Sequence, residues 1–274
     1  MIDFAQQIAS ELGKVKGIAA VVLGGSWARG EAHADSDLDI GIYYRSNSPF
    51  SPADLRELAK TLDDSHSGEA VTDLGAWGPW INGGAWLTIQ GQRVDWIYRS
   101  IERVSHEIYE CRAGRPTVHY QPGHPHGFHN HIYMGEVFYC KPLFDPHGAL
   151  AHLKLMTTPY PVELKKALIG NLWEADFALE TSRKSVERGD VFHVVGGFFR
   201  CAACLLQVIF ALNERYWMNE KGAVKAAMTL PLRPHDFEPI VTRVLAHPGN
   251  STDELKASLR KLEQLVKTTE ELCS

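Results

Sequence analysis

The chain has 274 residues, is 45% hydrophobic and 22% charged, and carries a formal net charge of −5. That length suits one large or two modest domains at ~100–200 residues each. The slightly acidic balance argues against a general nucleic-acid binder, which neutralises phosphates with a basic domain or stripe.

The N-terminus lacks a basic-then-apolar leader, and Ile2 to Lys16 places Phe4, Ile8, Leu12 and Val15 on one helical face. Ile18 to Leu23 is a continuous apolar run of the kind that forms a buried strand. A Gly24-Gly25-Ser26 turn and a one-turn helix follow, and Leu38 to Tyr44 reads as a second strand. Pro52 opens a helix with Leu55, Leu58, Ala59 and Leu62 on one face. Glu69 to Gly84 is rich in Gly and Trp, has no clear period and reads as loop. Trp86 to Gln90 and Arg93 to Tyr98 read as a hairpin around Gly91-Gln92, and Ile101 to Cys111 as a helix.

Residues 114–159, rich in Pro, Gly and His, read as a connector lining a cleft. After Pro161 the apolar positions Leu164, Leu168, Leu172, Ala175, Leu179, Ser182 and Val186 follow helical spacing. Further helices are expected over Val191–Trp217 and Asp253–Leu272, the last capped at Ser251 or Thr252. Val194 to Leu212 is the longest apolar stretch, but it contains Arg200 and Gln207. A charge in mid-span is costly in lipid, so it is expected as a bundle core helix in a cytoplasmic protein with no membrane partner. The five cysteines are odd in number and irregularly spaced, as reduced thiols are. Cys201 and Cys204, inside the apolar run, are expected as core residues.

The chemistry is concentrated between Gly24 and Ile40. On a strand, residues i and i+2 share a face, so Asp37 and Asp39 project side by side. Two like charges that close are costly without a counter-ion. Mg²⁺, a hard cation that takes oxygen ligands and substrate phosphates, relieves that cost. Asp is depleted in strands, so a merely polar edge does not explain two of them among Leu38, Ile40 and Ile42. The Gly-Ser turn offers backbone N–H groups to a phosphate.

Leu23-Gly24-Gly25-Ser26, a ten-residue spacer, then Asp37-Leu38-Asp39-Ile40 resembles the signature of the nucleotidyltransferase superfamily. That superfamily includes DNA polymerase β, poly(A) polymerases and the aminoglycoside and lincosamide nucleotidyltransferases. The resemblance implies an α+β nucleotidyltransferase domain over residues 1–113, a small mixed sheet flanked by helices. Beyond the 114–159 connector, an all-α helical bundle over 160–274 matches the two-domain plan of the resistance-type members. It also implies Mg²⁺ held by Asp37 and Asp39, with Asp95 as third carboxylate, either ligand or base. Gly25 and Ser26 would cradle the triphosphate, and Arg29 would neutralise charge there. Glu174, at the place of the general base in kanamycin-type members, is an alternative base, with Asp176 and Glu180 nearby. Lys221 or Arg215 would supply a cation from the bundle.

The implied reaction moves a nucleoside monophosphate, AMP from ATP, to a hydroxyl acceptor and releases pyrophosphate. The acceptor would be a small molecule or, as in toxin–antitoxin members, a protein; nucleic acid is disfavoured and a homodimer is compatible. The alternative is a catalytically silent module of the same fold that binds nucleotide or a partner. His124, His126, His129 and His131 suggest either a zinc site or a polar connector, the Pro and Gly between them matching no zinc motif. Trp77, Trp80 and Trp86 either wall an acceptor pocket or pack against the sheet.

Overall fold

The computed structural model describes every residue, Met1–Ser274. Two compact units form: Met1–Glu110 with His119–Gly123 and Tyr133–Pro159, and Cys111–Val118 with His124–Ile132 and Tyr160–Ser274.

In the first unit the chain runs α1 (Ile2–Leu12), β1 (Ile18–Leu23), α2 (Gly25–Arg29), β2 (Leu38–Tyr44), α3 (Pro52–Leu62), β3 (Gly84–Ile89), β4 (Gln92–Ser100) and α4 (Ile101–Arg112). After β5 (Val118–His119) at the unit boundary and β6 (Phe128–His129), which belongs to the second unit, the first unit resumes with α5 (Ile132–Tyr139), β7 (Lys141–Phe144) and α6 (Ala149–Met156). The sheet order is β3-β4-β2-β1-β7. Only β2 and β4 pair in parallel, so the sheet is mixed, as expected for the α+β class.

One face of that sheet is the core. Val21 and Leu23, Leu38, Ile40 and Ile42, Leu87 and Ile89, and Val94, Trp96 and Tyr98 pack there with Ile8 and Leu12 of α1 and Leu55 of α3. The period of two along β2 and β4 makes this possible, because it leaves Asp37, Asp39, Asp95 and Arg93 on the opposite face. At the far end of that second face Arg99 is buried and donates to Glu136 of α5 from Nε at 2.7 Å and Nη2 at 2.6 Å.

The second unit carries α7 (Val162–Gly170), α8 (Leu172–Glu187), α9 (Val191–Leu212), α10 (Ala223–Ala227), α11 (Phe237–Ala246) and α12 (Thr252–Cys273). α7, α8, α11 and α12 all pack on α9. α9 has the length and composition of a membrane span, but 67% of its most apolar window is buried within the protein. Gly197 lets α8 approach closely: a Cβ there would lie 2.0 Å from Ser182 Oγ. α12 begins with a full capping box between Ser251 and Glu254.

Several elements differ from expectation. Residues 114–159 are more than a connector, since α5, β7 and α6 lie there and β7 closes one sheet edge. The helix expected through Leu164 and Val186 breaks at Gly170-Asn171, two residues that are poor helix formers in an interior. α9 stops at Leu212, not Trp217, where Asn213 Nδ2 donates to Ile209 O and Leu232 O, each at 2.8 Å. α1 ends at Leu12, capped by Gly13.

Candidate active site

Strand register builds a row of functional groups across the outer face of the sheet. Gly24 N donates to Asp39 O at 2.8 Å, Asp39 is paired with Asp95 across the parallel β2–β4 ladder, and Asp95 is paired with Trp86 on β3. The row therefore reads Gly24, Asp39, Asp95, Trp86, with adjacent strands ~4.8 Å apart. Asp39 and Asp95 are both half-buried.

The turn after β1 is shaped around this row. Gly25 has φ +57°, and a Cβ there would fall 1.7 Å from Asp39 Oδ2. Only a residue without a side chain lets the Asp39 carboxylate lie against the start of α2. Ser26, half-buried, is the next residue of α2. Arg29 ends that helix, its Nε 2.7 Å from Glu31 Oε2, so its charge is shared with an exposed carboxylate.

Asp37 lies one step before β2, facing Arg93, which donates to it from Nε. Arg93 Nη2 also donates to Asp35 O at 2.8 Å, and Gln92 Nε2 to Ser36 O at 3.0 Å, so the start of β4 holds the loop that carries Asp37. Both partners of the Asp37–Arg93 pair are more than a third exposed. Such a surface pair contributes about 0–1 kcal/mol, so a competing cation can take Asp37 from it. The contact of Arg93 with Asp37 joins residues 56 apart and depends on long-range register, so no local sequence pattern signals it.

No group of three or more His, Cys, Asp or Glu side chains stands at metal-binding geometry. Donor chemistry nevertheless suits a hard divalent cation, because Asp39 and Asp95 offer carboxylate oxygens on adjacent strands. Asp37 adds a third if it turns from Arg93.

The remaining predicted residues lie in the helical unit. Glu174, on the first turn of α8, accepts from Arg200 Nε at 2.6 Å and again from Nη2. With Phe177, Phe192 and Gly196 it lines a cavity of about 980 Å³ within that unit. Lys221 is exposed in the turn before α10. Its neighbour Glu220 accepts from His126 N at 2.8 Å and lies 3.6 Å from His124 Nδ1. Asp176 and Glu180 are exposed on α8.

The four histidines do cluster, with ring centroids 4.9 Å apart for His126–His129 and 5.5 Å for His129–His131. Burial pushes His126, His129 and His131 down to about 4, 2 and 4, so they pack as neutral rings. All five cysteines are free, and all but Cys273 are buried. Trp80 is buried and stacks on His119 at 3.9 Å, whereas Trp77 and Trp86 stack on each other at 4.7 Å beside Asp95.

The small mixed sheet thus carries two carboxylates on adjacent strands, with a glycine turn pressed against one of them. Residues 5–73, within the first unit, match the family model described as "Nucleotidyltransferase domain". The match takes in Gly25, Ser26, Asp37 and Asp39, while Asp95 lies beyond it. Among solved structures, the chain is similar to a nucleotidyltransferase-like protein from Exiguobacterium sibiricum 255-15. Identity is 10% and the TM-score 0.47, over 100% of this chain and 78% of that one. No curated protein matches the chain.

Proposed function

We propose that this protein transfers a nucleoside monophosphate, AMP from ATP with Mg²⁺, to a hydroxyl of an acceptor, working in the cytoplasm. The observation that carries the reading is the Asp39–Asp95 pairing with Gly25 pressed against Asp39. Phosphoryl transfer is mostly positioning and charge stabilisation, and hard oxygen donors beside a side-chain-free turn suit both tasks.

In this reading Gly25 and Ser26 hold the β- and γ-phosphates, with Arg29 adding positive charge once it leaves Glu31. Asp39 and Asp95 hold the divalent ion, joined by Asp37, and a bound Mg²⁺ supplies charge neutralisation for the phosphates. Asp95 takes the proton of the acceptor hydroxyl, whose oxygen bonds to the α-phosphorus as the α–β bridge breaks and pyrophosphate leaves. Glu174 is the alternative proton acceptor, and Lys221 a second cation for the triphosphate. The acceptor is a small molecule in the first instance, with a protein side chain as the alternative.

The Asp37–Arg93 ion pair favours a second reading, a silent module that binds nucleotide without turnover. One experiment separates the two. The full chain is incubated with ATP labelled at the α-phosphate, Mg²⁺ and pooled hydroxyl acceptors, and both label transfer and pyrophosphate are followed. Label on an acceptor with equimolar pyrophosphate supports the transferase. Calorimetric ATP binding with no pyrophosphate from any pool supports the silent module.

A further inference from the structure

The row across the sheet has a direction. It starts at the glycine turn, passes Asp39 and Asp95, and ends on Trp86. In an in-line displacement the attacking oxygen and the leaving group lie on opposite sides of the phosphorus. If pyrophosphate departs over Gly25, the acceptor oxygen arrives from the Asp95 side. The body of the acceptor then lies over the next strand, on Trp86.

Trp86 is built for such a load. It remains 69% exposed although Trp77 stacks against it, with centroids 4.7 Å apart and planes at 24°. Trp77 in turn is seated over Gly84, where a Cβ would approach its ring to 2.7 Å. Its carbonyl accepts from Gln121 Nε2 at 2.7 Å. The backing ring is thus held by the fold before any ligand arrives, which removes part of the ordering cost of binding. Packing accounts for Trp77. It does not account for an indole left open on the rung beside Asp95.

We propose that Trp86, backed by Trp77, is the acceptor platform, and that the acceptor is a small molecule whose hydroxyl is borne on a ring. The ring lies flat on the indole and its hydroxyl points along the row to Asp95. A flat face, whether the C–H face of a sugar or an aromatic ring, gains from stacking on a rigid indole, and a flexible open-chain alcohol does not. The inference rests on the nucleotidyl-transfer reading, which sets the direction of the row.

The test uses the full chain and measures binding before turnover. Saturation-transfer NMR is recorded with methyl α-glucoside as the sugar probe, phenol as the aryl probe and propane-1,3-diol as the open-chain control. Wild type and Trp86→Phe should transfer saturation to ring protons of one of the two ring probes, and the responding probe identifies the ring. Trp86→Ala should lose at least fivefold of that signal while its Tm and its calorimetric affinity for ATP with Mg²⁺ stay at wild-type values. With an acceptor in hand, Trp86→Ala should raise KM tenfold or more with kcat within threefold, and Trp86→Phe should restore most of the loss. Equal signals from the diol, no signal from either ring, or an unchanged signal in Trp86→Ala each overturn the platform. Failure of ATP to bind wild type overturns the transferase reading instead, and is scored separately because the probes are titrated without nucleotide.

Discussion

Gly25→Ala is the substitution that most directly tests the candidate site, and the structure supplies its control. Gly25 opens and Gly30 caps the same short helix, with φ of +57° and +76°. An alanine at either position adopts the left-handed region, which costs about 1–2 kcal/mol. For a protein of this size that corresponds to a Tm loss of about 2–4 °C per kcal/mol. The two sites differ in what the new methyl meets. At Gly30 nothing lies within 4 Å, whereas at Gly25 the methyl falls 1.7 Å from Asp39 Oδ2 and 2.4 Å from its Cγ. Carbon and oxygen do not approach so closely, so the Asp39 carboxylate must swing away from the turn. Misplacing a reacting group by about 1 Å can cost about 100-fold in rate. Gly30→Ala should therefore lose a few degrees of Tm and keep turnover within threefold. Gly25→Ala should lose at least a comparable amount of stability and about 100-fold or more in turnover. Both are read by thermal melting and by pyrophosphate release with ATP and Mg²⁺. Equal turnover in the two variants would show that the placement of Asp39 against the turn is irrelevant to the chemistry.

Asp95→Asn should lower kcat by about 100-fold or more while ATP binding, with Asp37 and Asp39 still in place for the ion, stays within threefold, because an interaction made in the transition state acts on kcat; a matching loss of ATP affinity would leave Asp95 its ion-holding role and remove its role as proton acceptor. Arg93→Met removes an exposed ion pair worth about 0–1 kcal/mol, so melting should barely move. The freed Asp37 should lower the Mg²⁺ concentration for half-maximal pyrophosphate release, and an unchanged metal titration would count against Asp37 as a ligand. Stability should fall as pH drops below about 6.5, because the unfolded chain protonates histidines that burial holds at about 4, 2 and 4 for His126, His129 and His131. The stability is fully present above 6.5 and is lost toward those lower values, by at most about 1.4 kcal/mol per pH unit per histidine. Melts at pH 7.5, 6.5 and 5.5 should show the loss in wild type and a smaller one in His129→Asn; a flat wild-type profile would contradict the burial.

The parts of the fold legible in the sequence are those whose pattern is local. The apolar run of β1, the turn residues between β3 and β4 and the capping box of α12 each declare themselves within about ten residues. β7 does not: Lys141-Pro142-Leu143-Phe144 is four residues long, has no alternation and carries a proline tolerated because the strand lies at an edge. The α7–α8 break hides because the apolar spacing runs straight through Gly170 and Asn171. In the site, the segment from Gly24 to Asp39 stands out by spacing and residue type. The ion pair between Asp37 and Arg93 joins residues 56 apart and is set by β2–β4 register, which no local pattern encodes. The same holds for the stacking of Trp77 on Trp86, since the loop that carries Trp77 has no period of its own.

Register is also why the row exists at all. Slipping β4 by one residue against β2 would turn Val94, Trp96 and Tyr98 out of the core and bring Asp95 and Arg93 into it. The apolar face therefore selects the pairing of Asp39 with Asp95, and the functional face inherits it without any attraction between two carboxylates. The far end of that face is closed by buried Arg99 paired with half-buried Glu136, and losing Glu136 would leave Arg99 as an uncompensated buried charge. The near end carries Asp37, Asp39, Asp95 and Trp86, all at least partly exposed. One end of the sheet face is thus locked by packing and charge, and the end beside the glycine turn is left for ligand. The register that the core sets thus brings two carboxylates side by side at the open end, which is where the proposed cation and its phosphates would bind.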